Sequence, residues 1–120
     1  MINIKKFDLE EITYKGENTL SYRDVSTVFG SEKFDLIVVD APFGSPRYSR
    51  SQILDFAKNN LADSFCIIID DYDRVGEQET AKELMNILDS KSVKYESNIY
   101  SGSKQHFLIC DEKLKFLTSM

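Results

Sequence analysis

Two short apolar runs that each stop at aspartate constrain the fold of this chain most. FDLIVVD, Phe34 to Asp40, and FCIIID, Phe65 to Asp70, are nearly continuous stretches of β-branched and large apolar residues. Runs of that length and uniformity suit a strand buried on both faces. Between them the spacing predicts a helix from about Ser49, with Ile53, Leu54, Ala57 and Leu61 on one face and Asn59 and Asn60 at its end. A stronger helix follows over Glu77 to Ser90, where Ala81, Leu84, Met85 and Leu88 keep helical spacing and Glu77 and Glu79 occupy the first turn. Strand, helix, strand, helix in that order implies parallel strands joined by right-handed crossovers. Ligands of such sheets bind beyond the carboxyl ends of the strands, which is where Asp40, Asp70 and Asp71 fall.

The flanks read differently. ITYK (Ile12 to Lys15) and TLSYR (Thr19 to Arg23) alternate apolar and polar residues around Gly16-Glu17-Asn18, the pattern of a β-hairpin, and residues 2–7 read as a further strand before it. APFGSPRYSR carries both prolines of the chain, Pro42 and Pro46, together with Gly44, and reads as a loop. VKYESNIY (Val93 to Tyr100) and HFLIC (His106 to Cys110) are predicted strands joined by SGSKQ, short enough for an antiparallel connection.

At 120 residues the chain fits one domain, residues 1–120, with room for a real core. A net charge of −5 and a pI near 4.9 argue against nucleic acid and anionic membranes as partners. His106 is the only histidine, which excludes a multi-histidine metal site within one chain. Cys66 and Cys110 lie far apart in sequence, each within an apolar run, and are expected to be buried free thiols rather than a disulfide framework. MINIKKFDLEE lacks the apolar run of a signal peptide and no stretch reaches transmembrane length, so a cytoplasmic chain is expected.

Adjacent carboxylates repel, so the Asp70-Asp71 end of the second run calls for a reason. Asp40, Asp70 and Asp71 together offer oxygen ligands to a hard divalent cation such as Mg²⁺. Asp40 and Asp71 are equally candidates for acid–base catalysis. The plainer alternative is that these residues cap a turn or helix, or pair with Arg47, Arg50 or Arg74. Arg47 and Arg50, near the start of the first predicted helix, are candidates to bind a phosphate or carboxylate substrate, or else to neutralise the aspartates. Tyr72 either lines a pocket or covers the sheet, and His106 suits a satisfied polar residue at a strand start better than a base. Receiver domains also carry acidic strand ends, but there the acidic pair precedes the single Asp, the reverse of the order here.

The succession FDLIVVDAPFG, helix, FCIIIDDYDR, helix and closing antiparallel pair resembles the C-terminal half of class I S-adenosylmethionine-dependent methyltransferases. FDLIVVDAP looks like the fourth strand with its D-x-P ending, FCIIIDDYD like the fifth, and SNIYSGSKQHFLIC like the sixth-to-seventh hairpin, in which the last strand runs against the others. The likeness spans about residues 33–112, and residues 1–30 would supply a hairpin segment. It implies an α/β fold with a partial Rossmann-like, mostly parallel sheet, a C-terminal antiparallel pair and an N-terminal β-hairpin. It further implies methyl transfer from S-adenosylmethionine to a small-molecule or carbohydrate-like acceptor, with Asp40 near the acceptor and Pro42 to Arg50 covering it. In catechol-type members an Asp at the end of the fourth strand and an Asp-Asn pair at the end of the fifth hold Mg²⁺, places similar to those of Asp40 and of Asp70 and Asp71 here.

One part of the pattern is missing. The five glycines, Gly16, Gly30, Gly44, Gly76 and Gly102, never fall within two positions of each other, so the chain has no Gly-rich turn for close backbone approach to the cofactor. The expectation is therefore a methyltransferase-like protein that is incomplete alone, with a non-catalytic binding or assembly module, or a subunit completed by a partner chain, as the alternative. The strand that would pair with Phe34 to Asp40 in the complete fold is also absent. A homodimer or the chain's own N-terminal segment is expected to cover that edge.

Overall fold

A computed structural model describes residues 5–119. The chain begins with a hairpin of β1 (Leu9–Tyr14) and β2 (Glu17–Tyr22), followed by α1 (Val25–Phe29), β3 (Phe34–Val39), α2 (Ile53–Asn59) and β4 (Leu61–Ile69). Then come α3 (Val75–Ser90), β5 (Tyr95–Ser101), β6 (Gln105–Asp111) and a C-terminal 3-10 helix over Glu112–Ser119. β1 and β2 form a sheet of their own, and the other strands form a second sheet in the order β3-β4-β6-β5.

That order corrects the expected mostly parallel Rossmann-like sheet. Only β3 and β4 pair in parallel, while β4 with β6 and β5 with β6 pair antiparallel, so the second sheet is mixed. The expected parallel continuation fails because α3 does not deliver the chain to the position beside β4. β5 lands one place further out, and the short Gly102 turn folds β6 back into the gap. Side-chain chemistry explains the placement. Phe107, Ile109 and Cys110 make β6 apolar and buried, suited to a central position, whereas β5 (YESNIYS) is polar and largely exposed, suited to an edge.

The hairpin forms where the alternating pattern places it, but on a tighter turn than expected. Tyr14 pairs with Glu17, leaving Lys15 and Gly16 as a two-residue turn with φ of 49° and 82°, the double positive φ that a primed hairpin turn requires. The strand proposed over residues 2–7 falls partly on residues 1–4, outside the described ones, and residues 5–7 are irregular. α1 went unpredicted because five residues give too short a window for helical periodicity to register, and the eight-residue 3-10 helix because its three-residue turn does not follow that period. α2 starts at Ile53 rather than Ser49, because Arg50 has a φ of 56°, which no right-handed helix accommodates.

The core lies between the second sheet and its two longer helices. Val39, Ile67, Ile69, Phe107 and Ile109 point to one face and meet Ile53, Leu54 and Ala57 of α2 and Ala81, Leu84 and Leu88 of α3. The opposite face is covered in part by the 3-10 helix. There Cys110 Sγ donates to the Leu114 carbonyl at 3.3 Å, and Asn98 donates to that of Thr118 at 2.6 Å. Aromatic contacts through Phe7, Phe29, Phe34 and Phe56 and the Gln52 amide bonded to both backbone groups of Tyr22 hold the hairpin against α2. Among the described residues, no helix is long and apolar enough to cross a membrane.

Leu84 has no accessible surface, so Leu84→Ala removes core contacts and leaves a cavity. Urea unfolding of that variant is expected to show a loss of about 2–5 kcal/mol.

Candidate functional site

The site grows from the ends of β3 and β4. Asp40 follows β3 directly, and Asp70 and Asp71 follow β4. In the parallel pair Val39 lies beside Ile69, so Asp40 and Asp70 leave the sheet side by side. Oxygens of Asp40, Asp70 and Asp71 all lie within 4.8 Å of one another. Three carboxylates so close need opposing charge, and the loop after β3 brings it.

Arg50 is that charge. Its guanidinium is buried, donates from Nε to the Pro42 carbonyl at 3.0 Å and from Nη1 to the Asp70 carbonyl at 3.3 Å, and stands 3.2 Å from Asp71 Oδ2. Glu77 Oε2 lies 3.6 Å from the same Nη1. From the opposite side, Lys104 in the β5–β6 turn reaches Asp70 Oδ2 at 2.9 Å and Asp71 Oδ1 at 3.5 Å. His106 Nε2 comes within 2.9 Å of Asp70 Oδ1 but off the hydrogen-bond line, leaving that oxygen without a hydrogen-bond partner. Arg74 completes the ring at 3.8 Å from Asp71 and 4.0 Å from Glu77.

A close fit between the loop and the start of α3 fixes Arg50. Ser49 N donates to the Gly76 carbonyl, Ser49 Oγ donates to Glu77 at 2.9 Å, and Thr80 Oγ1 donates to the Ser49 carbonyl at 2.6 Å. Gly76 permits this approach, because a Cβ there would meet Ser45 O at 2.5 Å. Tyr48, Arg50 and Asp71 all hold positive φ, at 45°, 56° and 57°. Such conformations cost about 1–3 kcal/mol each and persist only where the surroundings over-determine them.

The two strand-end carboxyls titrate in opposite directions. The hydrogen bond to Asp70, and then the charge of Asp70, push the Asp40 carboxyl up from its ordinary value. Burial alone would raise Asp70, but hydrogen bonds from Lys104, Asp40 and the Asp71 amide outweigh it and hold the carboxyl well below the usual carboxylate range. Asp40 is exposed and Asp70 and Asp71 are buried, so Asp40 is the member of the trio placed to exchange a proton with a molecule outside. Beside it a cleft of about 330 Å³, lined by Phe29, Ile37, Val39, Arg50 and Phe56 among others, opens under the hairpin. A larger cleft of about 720 Å³ between the hairpin and α2 contains no member of the cluster.

Of the residues singled out from sequence, Asp40, Asp70, Asp71 and Arg50 come together, with Arg74 and His106 beside them. Arg47 does not join them, for its guanidinium is bound by Glu79 at 2.7 Å and Glu17 at 3.2 Å on the exposed side of the loop. Tyr72 stacks on Phe107 with ring centroids 5.0 Å apart and covers the end of the sheet. Lys104, Glu77 and Ser49 escaped sequence reasoning. Lys104 had a signal, since a turn that follows β5 closes at the same end of the sheet as Asp70. The oxygen donors suit a hard cation, yet Lys104 and Arg50 already supply its charge to Asp70 and Asp71. The cluster therefore does not fit a resident Mg²⁺.

No family model matches this sequence, no curated protein matches it, and no solved structure matches the fold.

Three expectations follow from the charge arrangement. Arg50→Met strands buried carboxylates and is expected to cost about 3–5 kcal/mol in chemical unfolding. Magnesium at millimolar concentration is expected to leave the melting temperature unchanged. Because the folded-state pKa values of Asp70, Glu79 and Glu83 are lowered, their stabilisation is present above the unfolded-state values and lost as acid protonates them. The melting temperature should hold above about pH 5 and fall below about pH 4, with a shallower fall in Asp70→Asn.

Proposed function

We propose that this chain is a methyltransferase-like assembly module, in which copies join along β3, rather than a methyltransferase in its own right. The observation that carries this reading is the state of β3. It pairs only with β4 among the described residues, and Leu36 and Val38, on the face away from α2 and α3, are each 58% exposed. An open, apolar edge of this kind is a template for another strand. The N-terminal hairpin does not supply it, because β1 and β2 pair only with each other in the described residues.

A second copy does so with simple geometry. A two-fold axis perpendicular to the sheet at Ile37 makes an antiparallel β3–β3 pair in which Leu36 of each copy faces Val38 of the other, on one face. The likeness to the methyltransferase half is supported by β6, the last strand, which runs antiparallel to both of its neighbours. It is also supported by the grouping of Asp40, Asp70 and Asp71 beyond the strand ends with the Pro42 to Arg50 loop against them. Without a Gly-rich turn the chain has no backbone cradle for the methionine part of S-adenosylmethionine.

Light scattering is expected to give twice the chain mass of 13.8 kDa, and Val38→Lys to return it to one chain mass with unchanged circular dichroism. Calorimetric titration with S-adenosylmethionine is expected to be silent. A monomeric wild-type chain would sink the assembly reading, and cofactor binding at micromolar strength would show that the chain holds the methyl donor unaided.

A further inference from the structure

The two cysteines, distant in sequence, lie directly opposite each other. Cys66 of β4 pairs with Cys110 of β6 in the antiparallel register, and both are buried free thiols. Directly opposed residues of antiparallel strands have Cα atoms about 4.5–5.5 Å apart and share a face. A disulfide spans Cα separations of about 4.4–6.8 Å, a range that includes the spacing of directly opposed antiparallel residues.

We propose that Cys66 and Cys110 are a redox modification site, converted by peroxide to an intrachain cross-strand disulfide, with the C-terminal 3-10 helix as its gate. Both thiols lie on the sheet face that the 3-10 helix covers, and Cys110 Sγ donates its hydrogen bond to the Leu114 carbonyl of that helix at 3.3 Å. The helix is a weak cover. It spans Glu112–Ser119, has no buried residue and breaks its helical geometry at Leu114. Segments with few buried contacts open at low free-energy cost.

The order of events follows from the surroundings of each sulfur. Cys66 is 6% exposed and Cys110 is fully buried. Burial pushes both thiols up from their ordinary value, and Cys110 is raised further by Cys66, Asp111 and Glu96. Cys66, the one thiol of the pair with surface already accessible, reacts first once the helix lifts. Its sulfur attacks a peroxide oxygen, the O–O bond breaks, and Cys66 becomes a sulfenic acid with release of water. The Cys110 sulfur then attacks the sulfenyl sulfur, forming the S–S bond as the hydroxyl leaves with the thiol proton as a second water. The peroxide takes up the two electrons that the thiols lose. Once bridged, Cys110 has no S–H to offer Leu114, so oxidation removes one of the bonds that seat the helix.

The test is treatment of the whole chain with hydrogen peroxide, followed by thiol titration, intact mass and non-reducing electrophoresis. The expected result is a fall from two free thiols to none, a mass lower by two hydrogens, no chain-to-chain cross-link, and full recovery with dithiothreitol. Leu117→Asp, which weakens the apolar face of the 3-10 helix, is expected to react several-fold faster, and Cys66→Ser to yield no bridge. Surviving thiols, oxygen-adduct masses in place of hydrogen loss, or a rate unmoved by Leu117→Asp would overturn the proposal.

Discussion

The buried guanidinium of Arg50 is the point on which the carboxyl end of the sheet depends. It reaches the Pro42 carbonyl of its own loop, the Asp70 carbonyl at the end of β4, the Asp71 side chain and the Glu77 carboxylate of α3. Without a cation there, the buried carboxylates of Asp71 and Glu77 would face one another with only the more distant Lys104 and Arg74 to balance them, an arrangement that low dielectric penalises heavily. Much local geometry follows from this demand. Arg50 takes a left-handed backbone to direct its side chain inward, which forbids α2 from starting at Ser49. The loop is then pressed onto α3, where only a residue without a Cβ fits at Gly76.

Arg50 also explains why the same charges differ in chemical character. Asp71 and Glu77 face its cation from within the protein, and Asp70 accepts the Lys104 ammonium at 2.9 Å. Asp40, at the exposed rim, is governed instead by its hydrogen bond to Asp70 and then by the negative charge of that neighbour, and so holds its proton to higher pH. The asymmetry arises from where each carboxyl leaves the sheet, not from its residue type. A cluster balanced by resident cations has less need of a metal ion than three aspartates seen in sequence alone would suggest.

What was legible in the sequence was what short-range pattern encodes. FDLIVVD and FCIIID announced β3 and β4 as strands, although β3 lies at an edge with Leu36 and Val38 exposed instead of buried on both faces, and the spacing of Ala81, Leu84 and Leu88 announced α3, whose apolar face packs on the core. Strand order was harder, since a helix between two strands does not say how far along the sheet the chain travels. The polar YESNIYS beside the apolar HFLIC held that information, as edge and centre, but only when the two were weighed against each other. In the site, Asp40, Asp70 and Asp71 were visible because adjacent strand ends bring them together. Arg47 and Arg50 looked interchangeable because they are three residues apart in one loop. Only the backbone turn at Tyr48 and Arg50 sends one outward to Glu79 and the other inward to Asp71. Glu77 resembled an ordinary first-turn glutamate and is instead fully buried.

The two faces of the larger sheet are stabilised unequally, and this links the edge strand to the thiol pair. On one face α2 and α3 seal Ile67, Ile69, Leu84 and Ile109 completely. On the other, an irregular 3-10 helix covers Cys110 through a thiol hydrogen bond, while Leu36 and Val38 at the β3 edge remain open. Cover on that face is thus thin over β6 and, among the described residues, absent at β3. Local opening concentrates where few apolar contacts resist it, so the outer face is where this fold yields first. A strand added at β3 would extend the sheet and bury Leu36 and Val38, but one strand would still separate it from the strand of Cys66 and two from that of Cys110. Assembly at the edge and oxidation beneath the 3-10 helix accordingly draw on separate contacts of one weakly covered surface, and the rigid helical face anchors both.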